Sequence, residues 1–379
     1  MIDTIVLTLQ PDQFRIMDHN RFNPSTIGLY QAPYYKLGQR SNFKCVQNPT
    51  SEELKNKIYK PRLTVTRRMG NRTFITTMRI EFSIPKLLFS NNFDEVEENQ
   101  LEAIISRLYK ILYDMGVLIM PHVLRNAPVS AVHYSKNIVL ADYSMPSAIL
   151  KELSKINLNL KLDLNQTDFR NEGHSLRFRA NSFEISLYDK RKDLQKAKIS
   201  DKRAIERDNA LQLELFDQWK PKGPFEVLRM EIRLNKRVKI KQVFKELSVY
   251  SDLTFSSVFK STIAQKVLLF YLEQIKSGYA LLAYQPKSSR DFMAEFKVLN
   301  PKAKPRKMLQ IFAFKKLLDE LGVRDFREAI NIYGKHHWPR LQNDLLTHKF
   351  PEGSSTPFKV MQQSLNEFKP LRLKDFEQK

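Results

Sequence analysis

Phe183-Glu184-Ile185-Ser186-Leu187-Tyr188-Asp189-Lys190 is the stretch that decides the fold. Side chains alternate between the two faces of a strand. Phe183, Ile185 and Leu187 therefore share one face, and Glu184, Ser186, Tyr188 and Lys190 share the other. The same period recurs twice. Met78, Ile80, Phe82 and Ile84 alternate with Thr77, Arg79, Glu81 and Ser83, and Leu228, Met230, Ile232 and Leu234 alternate with Arg229, Glu231 and Arg233. Each segment buries one row and presents the other. The expected fold is α+β: an antiparallel sheet with helices packed on its apolar face, followed by a helical C-terminal region.

The remaining pattern fits around that sheet. Pro61–Arg68 and Phe74–Ile84 read as a hairpin about Gly70-Asn71, with Pro85 ending the second strand. Leu101, Ile104, Ile105, Leu108, Ile111, Leu112 and Met115 form a helical stripe that Gly116 stops, with Asp94 as its cap and Glu97 at capping-box spacing. Val129–Ile138 reads as a strand carrying Ala131, His133 and Ser135 on one face. A short helix near Pro146–Lys155, a Leu160–Leu164 segment and a hairpin turning at Asn181-Ser182 come next. Ile199–Phe216 reads as a charged helix. From about Tyr250 the period becomes helical: one helix through Ile263, Val267, Phe270 and Ile275 closed by Gly278, one through Met308 to Leu318 closed by Gly322, and one at Phe326–Ile332. Gln285–Lys307 between them reads as a linker or DNA-facing loop. Two domains are expected, residues 1–250 and 251–379.

Composition narrows the function. Sixty-three Lys and Arg against 41 Asp and Glu give a formal charge of +22, and the excess is spread over both halves. Such a field attracts polyanions, and nucleic acid is the expected partner. No stretch approaches the roughly 20 apolar residues of a membrane span, and the opening Met1-Ile2-Asp3-Thr4-Ile5-Val6-Leu7 reads as a strand rather than a signal peptide. A cytoplasmic protein without membrane contact is expected. Cys45 is the single cysteine, so an intramolecular disulfide and a cysteine zinc cluster are excluded. Tyr30, Tyr34, Tyr35, Lys36 and Arg40 interleave aromatic and basic groups, which suits base stacking or a plain surface loop. There is no phosphate-binding loop and no nucleophile-elbow serine. His336 and His337 are adjacent, and no two histidines have metal-site spacing.

What remains is Glu81, His133 and Glu231 on three strands. Two carboxylates with one imidazole suit Mg²⁺ or Mn²⁺, which can polarise a phosphate. Each residue taken alone is equally consistent with a salt-bridge partner or a structural histidine. Tyr188 is a candidate nucleophile, since a phenolate can attack phosphorus and hold it covalently, and Lys190 on the same face could stabilise that phenolate. A packed strand tyrosine with a solvated hydroxyl is the plainer alternative.

The order of these blocks resembles the filamentous-phage rolling-circle replication initiators, the nicking-closing proteins. The resembling blocks are Met1-Ile2-Asp3 before Val6-Leu7, Ile80-Glu81-Phe82-Ser83-Ile84-Pro85, Val129-Ser130-Ala131-Val132-His133, Leu187-Tyr188-Asp189-Lys190 followed by Asp193-Leu194, and Val227-Leu228-Arg229-Met230-Glu231-Ile232-Arg233. They span roughly residues 1–260. The resemblance implies an HUH-endonuclease-like fold, although the histidine pair usual there is missing. It implies a DNA-nicking catalytic domain over 1–250, with Tyr188 attacking DNA and Lys190 beside it. Mg²⁺ or Mn²⁺ would be held by Glu81, His133 and Glu231, and Arg177, Arg179, Arg229 and Arg233 would hold flanking phosphates. The family carries Asp in the block holding His133. The Tyr-Asp-Lys and Arg-Met-Glu blocks are also similar to trans-acting plasmid initiators, whose nucleophile follows the Glu-bearing strand, which falls on Tyr250 here. The implied partners are single-stranded or supercoiled origin DNA, with a host helicase and polymerase. A non-catalytic origin- or RNA-binding protein using the same basic sheet is the alternative.

Overall fold

The computed structural model describes residues 1–24, 42–50, 53, 58–70, 73–140, 145–155, 164–170, 174–196, 226–283, 288–334, 336–350 and 356–376. The aromatic-basic loop at Tyr30–Arg40 and the helix expected at Ile199–Phe216 lie outside these residues, as does most of Leu160–Leu164.

Twelve strands are assigned among the described residues. They are β1 (Ile2–Leu9), β2 (Arg15–Ile16), β3 (Asn23–Pro24), β4 (Phe43–Gln47), β5 (Arg62–Gly70), β6 (Thr73–Ser83), β7 (Val117–Leu118), β8 (Val129–Leu140), β9 (Leu164–Arg170), β10 (Ser175–Ala180), β11 (Phe183–Asp189) and β12 (Glu226–Leu234). Ten of them form one antiparallel sheet in the order β3-β4-β5-β6-β1-β8-β12-β11-β10-β9, while β2 pairs with β7. The expected mixed α+β architecture is therefore present, with the three alternating segments as β6, β11 and β12.

Helices cover the apolar face. They are α1 (Ile84–Phe89), α2 (Leu101–Asp114), α3 (Pro121–Arg125), α4 (Pro146–Ser154), α5 (Lys190–Lys196), α6 (Arg237–Glu246), α7 (Phe255–Val258), α8 (Ser261–Ala283), α9 (Ser289–Leu299), α10 (Pro305–Asn331), α11 (His337–Leu346) and α12 (Thr356–Glu367). The helices α8 and α12 lie against β8, α6 against β8 and β12, and α4 against β10 and β11. Tyr134 on this face sends its hydroxyl to the carbonyl of Val258. One set of buried apolar side chains runs from Met1 through the strands to Leu365 of α12.

Local details depart from the sequence pattern in instructive ways. Asp94 does not cap α2. The box is one turn later, where the backbone N–H of Glu97 donates to Gln100, and Asp94 accepts instead from the N–H of Leu373. Pro85 does not merely end a strand but sits in the first turn of α1, where its missing N–H costs nothing. Gly278 lies within α8 rather than after it. The stretch read as a linker holds α9, because Phe292 and Phe296 are one helical turn apart and pack on Phe312 and Phe350. Gly322 breaks α10 with φ of 77° and lies against Lys155, whose carbonyl accepts from Val323.

Candidate active site on the polar face of the sheet

The register of β8, β12, β11 and β10 stacks three polar rows across four strands. His133, Arg233, Glu184 and Arg179 make one row; Ser135, Glu231, Ser186 and Arg177 the next; Asn137, Arg229, Tyr188 and Ser175 the third. Each row follows from period-two alternation on strands whose other faces are buried. Tyr188, Glu231 and His133 thus come together although they are far apart in the chain. The Tyr188 hydroxyl donates to Glu231 Oε2 at 3.3 Å. His133 Nδ1 lies 3.6 Å from Glu231 Oε1.

Cations surround this pair. Arg233 donates from Nε and Nη2 to the two oxygens of Glu231 at 3.0 and 3.1 Å, and its Nη1 lies 3.2 Å from Glu184. Glu184 also holds Arg179 at 2.9 Å. Burial works against ionisation of Glu231, but the guanidinium groups of Arg233, above all, and Arg229 outweigh it and hold the carboxyl well below the usual range. His133 moves the other way. Burial lowers its pKa against the pull of Glu231, which favours the neutral imidazole. Its Nε2 lies 3.2 Å from Asn235 Oδ1 and its Nδ1 turns toward Glu231. Burial pushes the Tyr188 phenol well above its ordinary value, with Arg229 pulling it down.

Lys190 is with Tyr188 as expected, but it opens α5 rather than ending the strand. Its Nζ lies 5.6 Å from the Tyr188 ring centre and 3.7 Å from Asp193. The side chain is fully buried and its Nζ has no hydrogen-bond partner among the described residues. Burial, with Arg229 adding to it, lowers the ammonium pKa to about 8.

Two expected residues have other places. Glu81 does not join His133 and Glu231. It faces Val6, which faces Ala131, so it lies two strands from β8 and two residues along. Strand spacing puts its Cα about 12 Å from that of His133 and about 20 Å from that of Glu231, too far for one ion with ligands at 2.0–2.6 Å. Its neighbour is Arg79 at 3.9 Å. Arg229 is not a surface phosphate contact. It is 2% exposed and donates to Asn92 O, Asn137 Oδ1, Ser135 Oγ and the Asp3 carboxylate. Burial disfavours its charge, yet Tyr188, Asp3 and Glu231 raise its pKa above the ordinary value. Arg177, Arg179 and Arg233 remain half-buried beside the cluster.

Sequence reasoning gave no role to Asp3, Glu184 or Asn235. Asp3 reaches Arg229 through an irregularity of register between Ile2 and Thr4, which no period reveals. Glu184 could have been found, since it shares the face of Tyr188. Tyr250 lies elsewhere, 97% exposed after α6.

As to metals, no group of three or more His, Cys, Asp and Glu side chains converges among the described residues. What the cluster offers is a pair, His133 Nδ1 and the Glu231 carboxylate. A hard divalent cation that keeps waters and takes a phosphate oxygen can use so few protein ligands. Among the described residues no helix is long and apolar enough to cross a membrane. Comparison with protein-family models, with curated proteins and with solved structures finds no match to this chain.

Proposed function

We propose that this chain is a rolling-circle replication initiator that nicks and rejoins origin DNA through a covalent phosphotyrosine. The observation that carries the reading is the Tyr188 hydroxyl held 3.3 Å from Glu231, with His133 on the far side of the same carboxylate. Tyr188 Oη attacks the scissile phosphorus, the bond to the 3′ oxygen breaks, and the 5′ phosphate stays on the tyrosine. Glu231 aims the hydroxyl and is the acceptor nearest its proton. The Lys190 ammonium on the ring offsets the phenolate charge that burial opposes. Arg177, Arg179 and Arg233 sit where they can meet the phosphate. Mg²⁺ or Mn²⁺, held by His133 and Glu231, would supply polarisation of a phosphate oxygen. The substrate is single-stranded or supercoiled origin DNA, and a host polymerase and helicase would take up the freed 3′ end.

The test is incubation with a single-stranded oligonucleotide and Mn²⁺, followed by a denaturing gel and peptide mapping of any adduct. Tyr188→Phe removes one oxygen and should bind DNA but form no adduct, whereas Tyr250→Phe should still form it. A DNA-linked peptide around Tyr250 would sink the Tyr188 assignment.

One observation favours a second reading, a non-catalytic origin- or RNA-binding protein. Both carboxylates of the cluster, Glu184 and Glu231, are already paired with arginine. Persistent DNA binding with no adduct in any metal would select it.

A further inference from the structure

The hairpin of β5 and β6 runs past the rest of the sheet. On one side β4 pairs with β5 only from Leu63 to Arg67. On the other, β1 pairs with β6 only from Met78 to Ser83. The rows Arg68–Ile75, Met69–Phe74 and Gly70–Thr73 therefore have no third strand among the described residues, and the one side-chain bond to this flank is the Met69 N–H donating to Asn42 Oδ1 at 3.1 Å, just before β4. Three rows extend about 10 Å.

The projecting part is neither core nor ordinary solvated surface. Met69 is 64% and Ile75 43% exposed, and Arg68 and Thr73 are exposed with them. From the tip downward, Arg68, Arg79 and Arg62 lie on one face, with Thr64, Thr66 and Thr77 between them and Lys44 on the neighbouring strand. Residues 62–83 carry five arginines, no lysine and one carboxylate, Glu81. Only Arg79 of the three facing arginines has an ion-pair partner among the described residues, and that at 3.9 Å. This face is continuous with the one that carries Tyr188: Glu81 and Ser83 lead across Thr4 to His133.

We infer that the β5–β6 ribbon enters the major groove of duplex DNA, at a part of the face well removed from the Tyr188 cluster. The shape fits. A major groove about 12 Å wide and about 8.5 Å deep admits a two-stranded ribbon without deforming the duplex. Arg68 reaches base edges or the groove wall, Met69 and Ile75 supply apolar contact, and Arg62, Arg79 and Lys44 meet the flanking phosphates. A second copy of this chain is a poor occupant, because each copy would bring the same arginine-rich face and a charge of +22. The inference rests on the nucleic-acid half of the reading above and not on the nicking chemistry. It assigns the ribbon to duplex and leaves single strands to the Tyr188 cluster.

The test uses the full chain and two labelled probes of equal length, a 30-base-pair duplex and a 30-nucleotide single strand, with affinity measured over a salt series. The triple variant Arg62→Ala, Arg68→Ala, Arg79→Ala should lose duplex affinity at least tenfold. Its log–log salt slope should shrink by about 2 to 3, at about 0.9 per phosphate, while single-strand affinity and any adduct on the single strand stay unchanged. Arg68→Glu, a single change at an exposed tip position, should reproduce the loss if the triple variant folds poorly. Tyr188→Phe should bind duplex like wild type, so a failed nicking reading leaves this result intact. Unchanged duplex affinity in Arg68→Glu would overturn the inference. So would an equal loss for duplex, single strand and heparin, which would mark a general polyanion patch.

Discussion

Lys190→Met is the most informative perturbation of the cluster. The lysine is fully buried and its Nζ makes no hydrogen bond among the described residues, with Asp193 at 3.7 Å. Its pKa falls from an ordinary 10.5 to about 8. The folded state therefore disfavours the ammonium, and the cost is fully present below pH 8. Between pH 8 and 10.5 the unfolded chain binds the proton more readily, so stability rises with pH across that window. A difference of 2.5 between those two values, at 1.36 kcal/mol per unit, is about 3 kcal/mol. Methionine has nearly the same length and no charge, so it should remove this cost. Lys190→Met should be more stable than wild type by about 3 kcal/mol at pH 7, shrinking to about 1 kcal/mol at pH 9.5. Urea unfolding of both proteins at the two pH values measures this directly. The same variant should form no adduct, because the cation on Tyr188 is gone. A variant that is less stable at pH 7, or whose gain is the same at both pH values, would refute the reasoning. The ammonium would then be well solvated or paired, and its place on the ring would carry no functional weight.

Other perturbations separate the structural charges from the chemical ones. Arg229→Met leaves Asp3 without its partner and should cost about 3–5 kcal/mol in urea unfolding, with the salt slope of DNA binding unchanged; a smaller slope would return Arg229 to the DNA surface. Glu231→Gln keeps the shape and leaves Arg233 with Glu184, so adduct yield should collapse while DNA affinity persists, and wild-type cleavage would make Glu231 a salt-bridge residue only. Gly322→Ala places a Cβ 3.3 Å from Lys155 at a φ of 77°. It should cost about 1–2 kcal/mol in unfolding experiments, and a neutral result would mean that α10 can re-dock on α4.

The sheet was legible where alternation was strict and both neighbours were apolar, as at Phe183–Leu187 and Leu228–Leu234. The site was legible to the same extent, because a shared face is all that alternation can reveal. Tyr188, His133 and Glu231 met because three separate strands kept their registers. Strand order was hidden, and that is why Glu81 looked like a third ligand: its strand is right in period but lies on the far side of β1. Burial was hidden too, so Arg229 read as a surface cation. Its four acceptors come from residues 3, 92, 135 and 137, and nothing near Arg229 in the chain announces them. Lys190 read as strand because the period of two runs one residue too far before Asp193 starts a helical spacing.

The central place of β1 has a consequence for how the protein is made. Ile2–Leu9 leaves the ribosome well before either of its two neighbours, Met78–Ser83 and Val129–Tyr134. At 5–20 residues per second the second partner emerges roughly 7 to 26 seconds later. For that time an apolar strand has at least one open edge, because the partner that closes it comes later in the chain. Such an edge is a template for pairing with another nascent chain. Expression yield should therefore depend on translation speed and chaperone supply more than on the equilibrium stability of the finished fold.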